Sequence, residues 1–190
     1  MFLKALGEAL ADAGVTLMEY RNKAGSDAEI LADAAVLRDA MPSQNIKLIL
    51  DDRVDLIERS GFDGAHVDAG DLTPSAARRL LGPSRIVGTF GGSDALVPGI
   101  LKEPADYLSV GPAYSTTTKQ TTKASIGPDG VRWLRKQAGP DAVLVAVGGI
   151  TLETASLVLA AGANTVAVSA AIFRTADPAA EFRHWLEALG

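Results

Sequence analysis

The amino-acid sequence predicts an α/β protein, specifically a (β/α)8 TIM barrel that lacks its first strand at the N-terminus. Short β-branched runs alternate with amphipathic stretches along all 190 residues. The runs are apolar on both faces, which is typical of a parallel sheet covered by helices. No linker or change in composition divides the chain, so we expect one domain over residues 1–190. A doubly wound open sheet is the alternative fold.

Seven runs have the composition of β-strands, with valine, leucine, isoleucine and tyrosine between glycine, proline or aspartate boundaries. In chain order they are residues 15–21, 46–50, 64–67, 85–90, 107–111, 143–149 and 164–169. Strands of this length, repeated at this pace, indicate successive β/α units rather than a meander of hairpins.

Eight stretches between the strands have helical spacing: 2–13, 27–41, 54–61, 74–82, 93–102, 127–139, 151–163 and 178–189. The fifth is the weakest candidate, because Pro98 and Gly99 interrupt it. Since the chain opens on a helix, the strand that should precede it is absent, and seven strands cannot close an eight-stranded barrel. We therefore expect an open sheet with two exposed edges, a partner chain that fills the gap in a homo-oligomer, or a sequence that begins after the first strand.

Composition restricts the classes of function. The net charge is −5, and without a basic stripe the chain is not expected to bind nucleic acid. No apolar run approaches the roughly 18–20 residues that span a bilayer. The chain contains no cysteine, which excludes disulfides and thiolate metal sites. These features predict a cytoplasmic protein that acts on small molecules and has no membrane partner.

Polar side chains and glycines follow almost every predicted strand, at the edge where a parallel barrel carries its chemistry. They are Glu19, Arg21, Lys23, Asp51, Asp52, Arg53, Asp68, Asp71, Thr116, Thr117, Thr118, Lys119, Gly148, Gly149, Ser169 and Ala170. Carboxylates bind Mg²⁺, whereas Arg, Lys and the backbone N–H groups beside glycine bind phosphate. The set predicts a site for a divalent metal and a phosphorylated ligand.

Some of these residues have a plainer explanation. Asp51 and Asp52 could cap the helix that follows them, and Arg21 and Lys23 could form a solvated strand end. His66 lies within an apolar strand, so we expect a hydrogen-bonded core residue rather than a catalytic base.

Several segments closely resemble thiamine phosphate synthases, also called thiamine-phosphate pyrophosphorylases. They are VTLMEYRNK, LILDDRVDL, FDGAHVDAGDL, ADYLSVGPAYSTTTK and VAVGGITLETASLVLAAGANTVAVSAAIF. The resemblance covers essentially the whole chain in order, and GPxYxTxTK and GGI are its most specific motifs. It implies a barrel enzyme of thiamine biosynthesis, a transferase that joins hydroxymethylpyrimidine diphosphate to thiazole phosphate and releases pyrophosphate.

The resemblance also implies roles for individual residues. It implies that the catalytic cations on the diphosphate are Arg21, Lys23 and Lys119, and that the Mg²⁺ ligands are Asp52 and Asp71. It implies that the thiazole phosphate is contacted by Thr116, Thr118, Gly149, Ser169 and Ala170. It also implies that the pyrimidine-diphosphate side includes Glu19, Asp51 and Phe90. The implied reaction is dissociative, and such a reaction needs stabilisation of the leaving group more than an acid–base residue.

The chain departs from the family's pattern on the pyrimidine-diphosphate side. Glu19 replaces a glutamine, Asp51 an asparagine and Phe90 a serine, and residues 68–71 alter the usual Gly-Gln-x-Asp. The two new acids would repel a diphosphate. Three hypotheses therefore stay open: an active synthase, a member that binds thiazole phosphate or thiamine phosphate without turnover, and an isomerase related to thiazole tautomerases. The isomerase is disfavoured because residues 89–92 lack a histidine.

Overall fold

The structure, a computed structural model, describes residues 2–42, 44–68, 70, 72–116 and 123–190. Its strands are β1 (Leu17–Tyr20), β2 (Lys47–Asp51), β3 (Gly64–Val67), β4 (Ile86–Gly92), β5 (Tyr107–Val110), β6 (Leu144–Val147) and β7 (Thr165–Ala167). Its helices are α1 (Phe2–Asp12), α2 (Asp27–Ala40), α3 (Ile57–Ser60), α4 (Pro74–Leu81), α5 (Gly127–Ala138), α6 (Leu152–Ala160), α7 (Ala170–Phe173) and α8 (Pro178–Leu189). Two 3-10 turns, Val54–Leu56 and Ile100–Lys102, complete the described elements.

The seven strands form one parallel sheet in the order β1-β2-β3-β4-β5-β6-β7. Each strand pairs with the next one along the chain, so that Glu19 lies opposite Ile49 and Asp51 lies opposite His66. This order confirms a half-barrel of parallel β/α units. It contradicts the doubly wound alternative, in which the strand order reverses at a switch point.

The apolar core lies between the sheet and its helices. Side chains on the helix-facing side of β2, β3 and β4 join one buried cluster with residues of α1 and α2; the strand members are Leu48, Leu50, Ala65, Val67 and Val87. Because successive side chains of a strand point to opposite faces, Asp51 and His66 lie on the inner face of the half-barrel. The helices therefore leave that inner face for polar side chains.

The two end strands are less covered than the middle of the sheet. Exposed and half-buried positions alternate along β1 and β7, whereas every residue of β3 is buried. Leu17 at the start of β1 is 49% exposed. Among the described residues β1 and β7 have no second neighbouring strand, which leaves the two open edges that the sequence predicts.

The observed elements differ from the sequence prediction in two segments. Residues 93–102 form only the 3-10 turn Ile100–Lys102, because Pro98 has no N–H and Gly99 adopts a φ of 79°. Helix α7 was not predicted, since four residues carry no helical period. None of the helices described here has the length and apolar character that crossing a membrane requires.

Candidate active site

Four charged side chains meet at the carboxyl ends of β1 and β2. Arg21 Nε lies 3.1 Å from Asp51 Oδ2, and Lys23 Nζ lies 3.0 Å from the same oxygen. Lys23 Nζ also pairs with Asp52. We call Arg21, Lys23, Asp51 and Asp52 the charged quartet. The sequence predicts their proximity, because neighbouring parallel strands end at the same edge of a sheet.

Asp51 is the buried centre of the charged quartet. Its side chain is 2% exposed, compared with 41% for Arg21 and 42% for Lys23. Although both cations are near Asp51 Oδ2, this oxygen accepts no aligned hydrogen bond among the described residues, and neither does the buried Oδ1 of Asp52. Buried acceptors without a donor are costly. Asp52 Oδ1 is therefore suited to a bound cation, whereas Asp51 Oδ2 already faces Arg21 and Lys23.

The backbone of Asp52 has a left-handed conformation, with a φ of 62° that is uncommon outside glycine. Its N–H donates to the carbonyl of His66 at 2.8 Å, and its carbonyl accepts from the N–H of Val54 at 2.9 Å. No side chain caps the following turn, whose N-cap residue is Arg53. The capping explanation of Asp51 and Asp52 is therefore wrong, and their carboxylates remain available to the site.

A buried histidine lies beside Asp51 on the inner face. His66 is 6% exposed, and its Nδ1 lies 3.0 Å from the hydroxyl of Tyr107. The two rings stack with their centres 5.5 Å apart. Tyr107 reaches His66 across Gly88, where any Cβ would collide with the tyrosine ring. The predicted hydrogen-bonded core histidine is confirmed.

Burial and neighbouring charges shift the pKa values of two groups on the inner face, His66 and Glu19. Burial lowers the pKa of His66, but the Asp68 carboxylate, 3.8 Å from Nε2, and Glu19 outweigh it, and the net pKa is raised. Burial also raises the pKa of Glu19, and Asp51 and Asp68 raise it further against the opposing charges of His66 and Arg21. Because Glu19 is exposed to solvent at the open edge of β1, water relieves part of this effect.

Phe90 lies on the inner face of β4, next to an irregularity in the strand pairing between Phe90 and Gly92. The Nζ of Lys123 lies 3.8 Å from the centre of the phenylalanine ring, which is the geometry of a cation–π contact. Sequence reasoning missed Lys123, because it follows the TTTK segment and no motif marks it. We call the edge formed by the carboxyl ends of the strands the rim. An aromatic ring and a lysine thus lie on the β4 side of this rim.

A glycine turn brings the segments after β5 and β6 together. Gly149 has a φ of 63°, and a Cβ at this position would collide with the carbonyl oxygen of Ser115. The N–H of Tyr114 donates to the carbonyl of Gly148 at 2.9 Å. Glycine is required at residue 149 for this close approach. The turn is therefore built to support the loop that carries Thr116.

The structure describes only part of the predicted phosphate and metal residues. Asp71, Thr118 and Lys119 lie outside the described residues. Thr116 is half-buried after β5, and Ser169–Ala170 lie where α7 begins after β7. Within the described ranges no three His, Cys, Asp or Glu side chains are grouped to hold a metal ion. The Mg²⁺ ligand pair and the Lys119 contact stay predictions.

The fold and the rim define a parallel β/α protein with cations, carboxylates and glycine turns at the carboxyl ends of its strands. A family model described as thiamine monophosphate synthase matches residues 2–172. The chain belongs to that family, and the resemblance noted in its sequence is confirmed.

Individual relatives agree with the family model. The thiamine-phosphate synthase of Koribacter versatilis (strain Ellin345) is 39% identical over 187 residues, which cover 98% of this chain and 86% of the relative. That of Agrobacterium fabrum is 36% identical over 192 residues, covering 98% and 87%. The solved thiamine phosphate pyrophosphorylase from Pyrococcus furiosus superposes with a TM-score of 0.78 at 26% identity, covering 99% of this chain and 91% of that structure.

Proposed function

We propose that this chain is a thiamine-phosphate synthase, a transferase that joins hydroxymethylpyrimidine diphosphate to thiazole phosphate. The observation that carries the proposal is the charged quartet, which gathers Arg21 and Lys23 at the rim of a chain of this family. Arg and Lys make charge-assisted hydrogen bonds to phosphate oxygens. Two phosphorylated substrates can thus bind a protein whose net charge is −5.

The residues at this rim fit a Mg²⁺ ion. Asp52 Oδ1 is a buried carboxylate oxygen without a hydrogen-bond donor among the described residues, and hard oxygen ligands are those that Mg²⁺ prefers. We assign Asp52 and Asp71 as the residues that would hold the ion. When bound, Mg²⁺ would neutralise charge on the diphosphate as it leaves.

The chain's own residues orient the substrates and stabilise the leaving group. Arg21, Lys23 and Lys119 bind the diphosphate oxygens while the bond from the pyrimidine methylene carbon to oxygen breaks and the diphosphate departs with the electron pair. The thiazole nitrogen then forms a bond to that carbon. The residues that hold the thiazole phosphate in place are Thr116, Thr118, Gly149, Ser169 and Ala170.

We further propose that the sheet is seven-eighths of a (β/α)8 barrel, with the place of the remaining strand between β7 and β1. The consecutive parallel order and the uncovered end strands support this arrangement. A single domain over residues 1–190 and a cytoplasmic location stay predictions of the same proposal.

A pyrophosphate-release assay with both substrates tests the proposed reaction. We expect release that requires both substrates and Mg²⁺, and that stops in excess chelator. Lys23→Ala should reduce kcat/KM by about tenfold or more, since one lost charge-assisted contact is worth about 1.5–3 kcal/mol. The control is Lys47→Ala, because Lys47 is also half-exposed and paired with an aspartate, but lies at the amino end of β2.

Other results of these assays would support the two alternative functions instead. Binding of thiamine phosphate in a calorimetric titration without pyrophosphate release would select the member that binds without turnover. Isomerisation of a thiazole phosphate without consumption of the diphosphate would select the isomerase. Equal losses in Lys23→Ala and Lys47→Ala would show that Lys23 has no specific role at the rim.

A further inference from the structure

The charged quartet carries no net charge, because two cations face two carboxylates. We propose that Asp51 is a specificity-determining residue, which restricts this rim to anions that bind together with a divalent cation. The inference rests on the proposed function in one respect: Arg21 and Lys23 are taken as the cations that bind the diphosphate.

Asp51 occupies the position of an anion between these two cations. A single oxygen, Oδ2, is the one that both Arg21 Nε and Lys23 Nζ approach, at 3.1 Å and 3.0 Å. A phosphate oxygen that binds Arg21 and Lys23 must therefore compete with this carboxylate. The competitor cannot swing away, because the side chain is 2% exposed and its backbone is paired in β2 opposite His66 of β3.

The surrounding charges add to this competition. The negative charges of Asp51 and Asp68 both act on Glu19, so three carboxylates lie close together on the inner face. Repulsion between a diphosphate and a buried carboxylate is stronger than between exposed groups, because little water screens it. A metal-free diphosphate thus meets a neutral quartet with further acids beside it.

A divalent cation reverses this balance. Lys23 bridges Asp51 and Asp52, so a cation that binds Asp52 competes with Lys23 for that carboxylate. When bound, such a cation would add two positive charges beside the quartet, and Lys23, released from Asp52, would be available to the anion. Asparagine at residue 51 would have a similar effect without metal, since an amide of almost the same size forms no ion pair with Arg21 and Lys23 and carries no charge to repel phosphate.

Calorimetric titration with inorganic pyrophosphate tests the proposal independently of turnover. Wild type and Asp51→Asn are each titrated in excess Mg²⁺ and in excess chelator. In chelator we expect Asp51→Asn to bind pyrophosphate at least about tenfold more tightly than wild type. In Mg²⁺ the difference should shrink, so that metal dependence is steep in wild type and shallow in the variant.

The matched control is Asp55→Asn. It removes the same charge from the same segment, but Asp55 is 61% exposed and pairs with Arg53 instead of the quartet cations. Its affinities should equal those of wild type in both buffers. A second neutral variant, Asp51→Ser, should reproduce the effect of Asp51→Asn, and thermal unfolding establishes that each variant is folded.

Three results separate the inference from the proposed function. Equal chelator affinities in wild type, Asp51→Asn and Asp55→Asn would overturn the role of Asp51, while Mg²⁺-dependent binding in wild type would leave the proposed site intact. No pyrophosphate binding to wild type in Mg²⁺ would instead contradict the diphosphate site itself. If neither neutral variant folds, Asp51 is a structural ion-pair residue and the inference is wrong.

Discussion

Single residues of the inner face show how much a side chain's chemistry depends on its neighbours. That Arg21 and Lys23 lie near Asp51 could be predicted, because neighbouring parallel strands end together. That Asp51 pairs with both cations could not, since spacing along the chain does not say which rotamers meet. The contact between Lys123 and Phe90 is equally invisible in the sequence, because it joins the end of a loop to a distant strand.

Glu19 should destabilise the folded protein near neutral pH. Its pKa is raised above the ordinary value of 4.5 for a glutamate, mainly by burial, so the folded state binds the proton more tightly than the unfolded state. The resulting stability is present below about pH 4.5 and is lost as the pH rises through the folded-state pKa. We therefore expect Glu19→Gln to have a higher melting temperature than wild type at pH 7, and almost the same one at pH 4.

Glu103 provides the control with the opposite sign. Hydrogen bonds from the side chain and backbone of Ser75 lower the pKa of Glu103, so its contribution to stability is present above its unfolded-state pKa. Glu103→Gln should lower the melting temperature at pH 7, and the loss should narrow as the pH falls. A melting temperature of Glu19→Gln below that of wild type at pH 7 would contradict the direction of the Glu19 shift.

Two tyrosines should respond differently to the loss of their hydroxyl groups. Tyr107→Phe removes the partner of the buried His66 and should lower the free energy of unfolding by about 1 kcal/mol. The buried hydroxyl of Tyr114 has no hydrogen-bond partner among the described residues, so Tyr114→Phe should leave stability unchanged or raise it. Urea unfolding measures both, and equal losses would show that the hydrogen bond to His66 is not what Tyr107 contributes.

At the scale of elements, the periodicity of apolar residues and the residue types at element boundaries predict the strands and helices of the half-barrel well. Strand β3 has the predicted bounds 64–67, and α8 ends at the predicted Leu189. Short elements are different, because one turn of helix such as α7 is too brief to show a period. The split of the predicted helix 54–61 into a 3-10 turn and α3 likewise depends on local hydrogen bonding.

The turn after β6 should tolerate no side chain at its second glycine. Gly149→Ala combines a positive φ with a collision against Ser115, whereas Gly99→Ala has a φ of 79° in open space. Backbone strain alone costs on the order of 1–3 kcal/mol, so both variants lose stability and Gly149→Ala should lose more. Thiazole phosphate binding should weaken only in Gly149→Ala. Equal losses of stability for Gly149→Ala and Gly99→Ala in urea unfolding would mean that the loop after β5 moves to accommodate the new Cβ without a loss of free energy.

At the scale of the whole molecule, the two end strands of the described sheet, β1 and β7, each have one unpaired edge, and this should affect association. The unpaired N–H and C=O groups of β1 and β7 are templates for strand pairing, and Leu17 adds exposed apolar surface to one end. Leu17→Lys should reduce concentration-dependent association in sedimentation equilibrium. The control is Leu80→Lys, which places the same charge at an exposed leucine of α4 and should leave association unchanged. Equal effects would assign association to general surface charge.

At residue 52, the left-handed backbone favours glycine for stability, whereas the proposed function requires an aspartate. Glycine adopts a φ of 62° freely, and it would also remove a buried oxygen that lacks a donor. These gains offset the greater chain entropy of glycine and the loss of the ion pair with the partly exposed Lys23, so Asp52→Gly should be at least as stable as wild type in urea unfolding. Selection for stability alone would let the position drift away from aspartate. An acid retained there through evolutionary time would therefore record a continuing need for a cation.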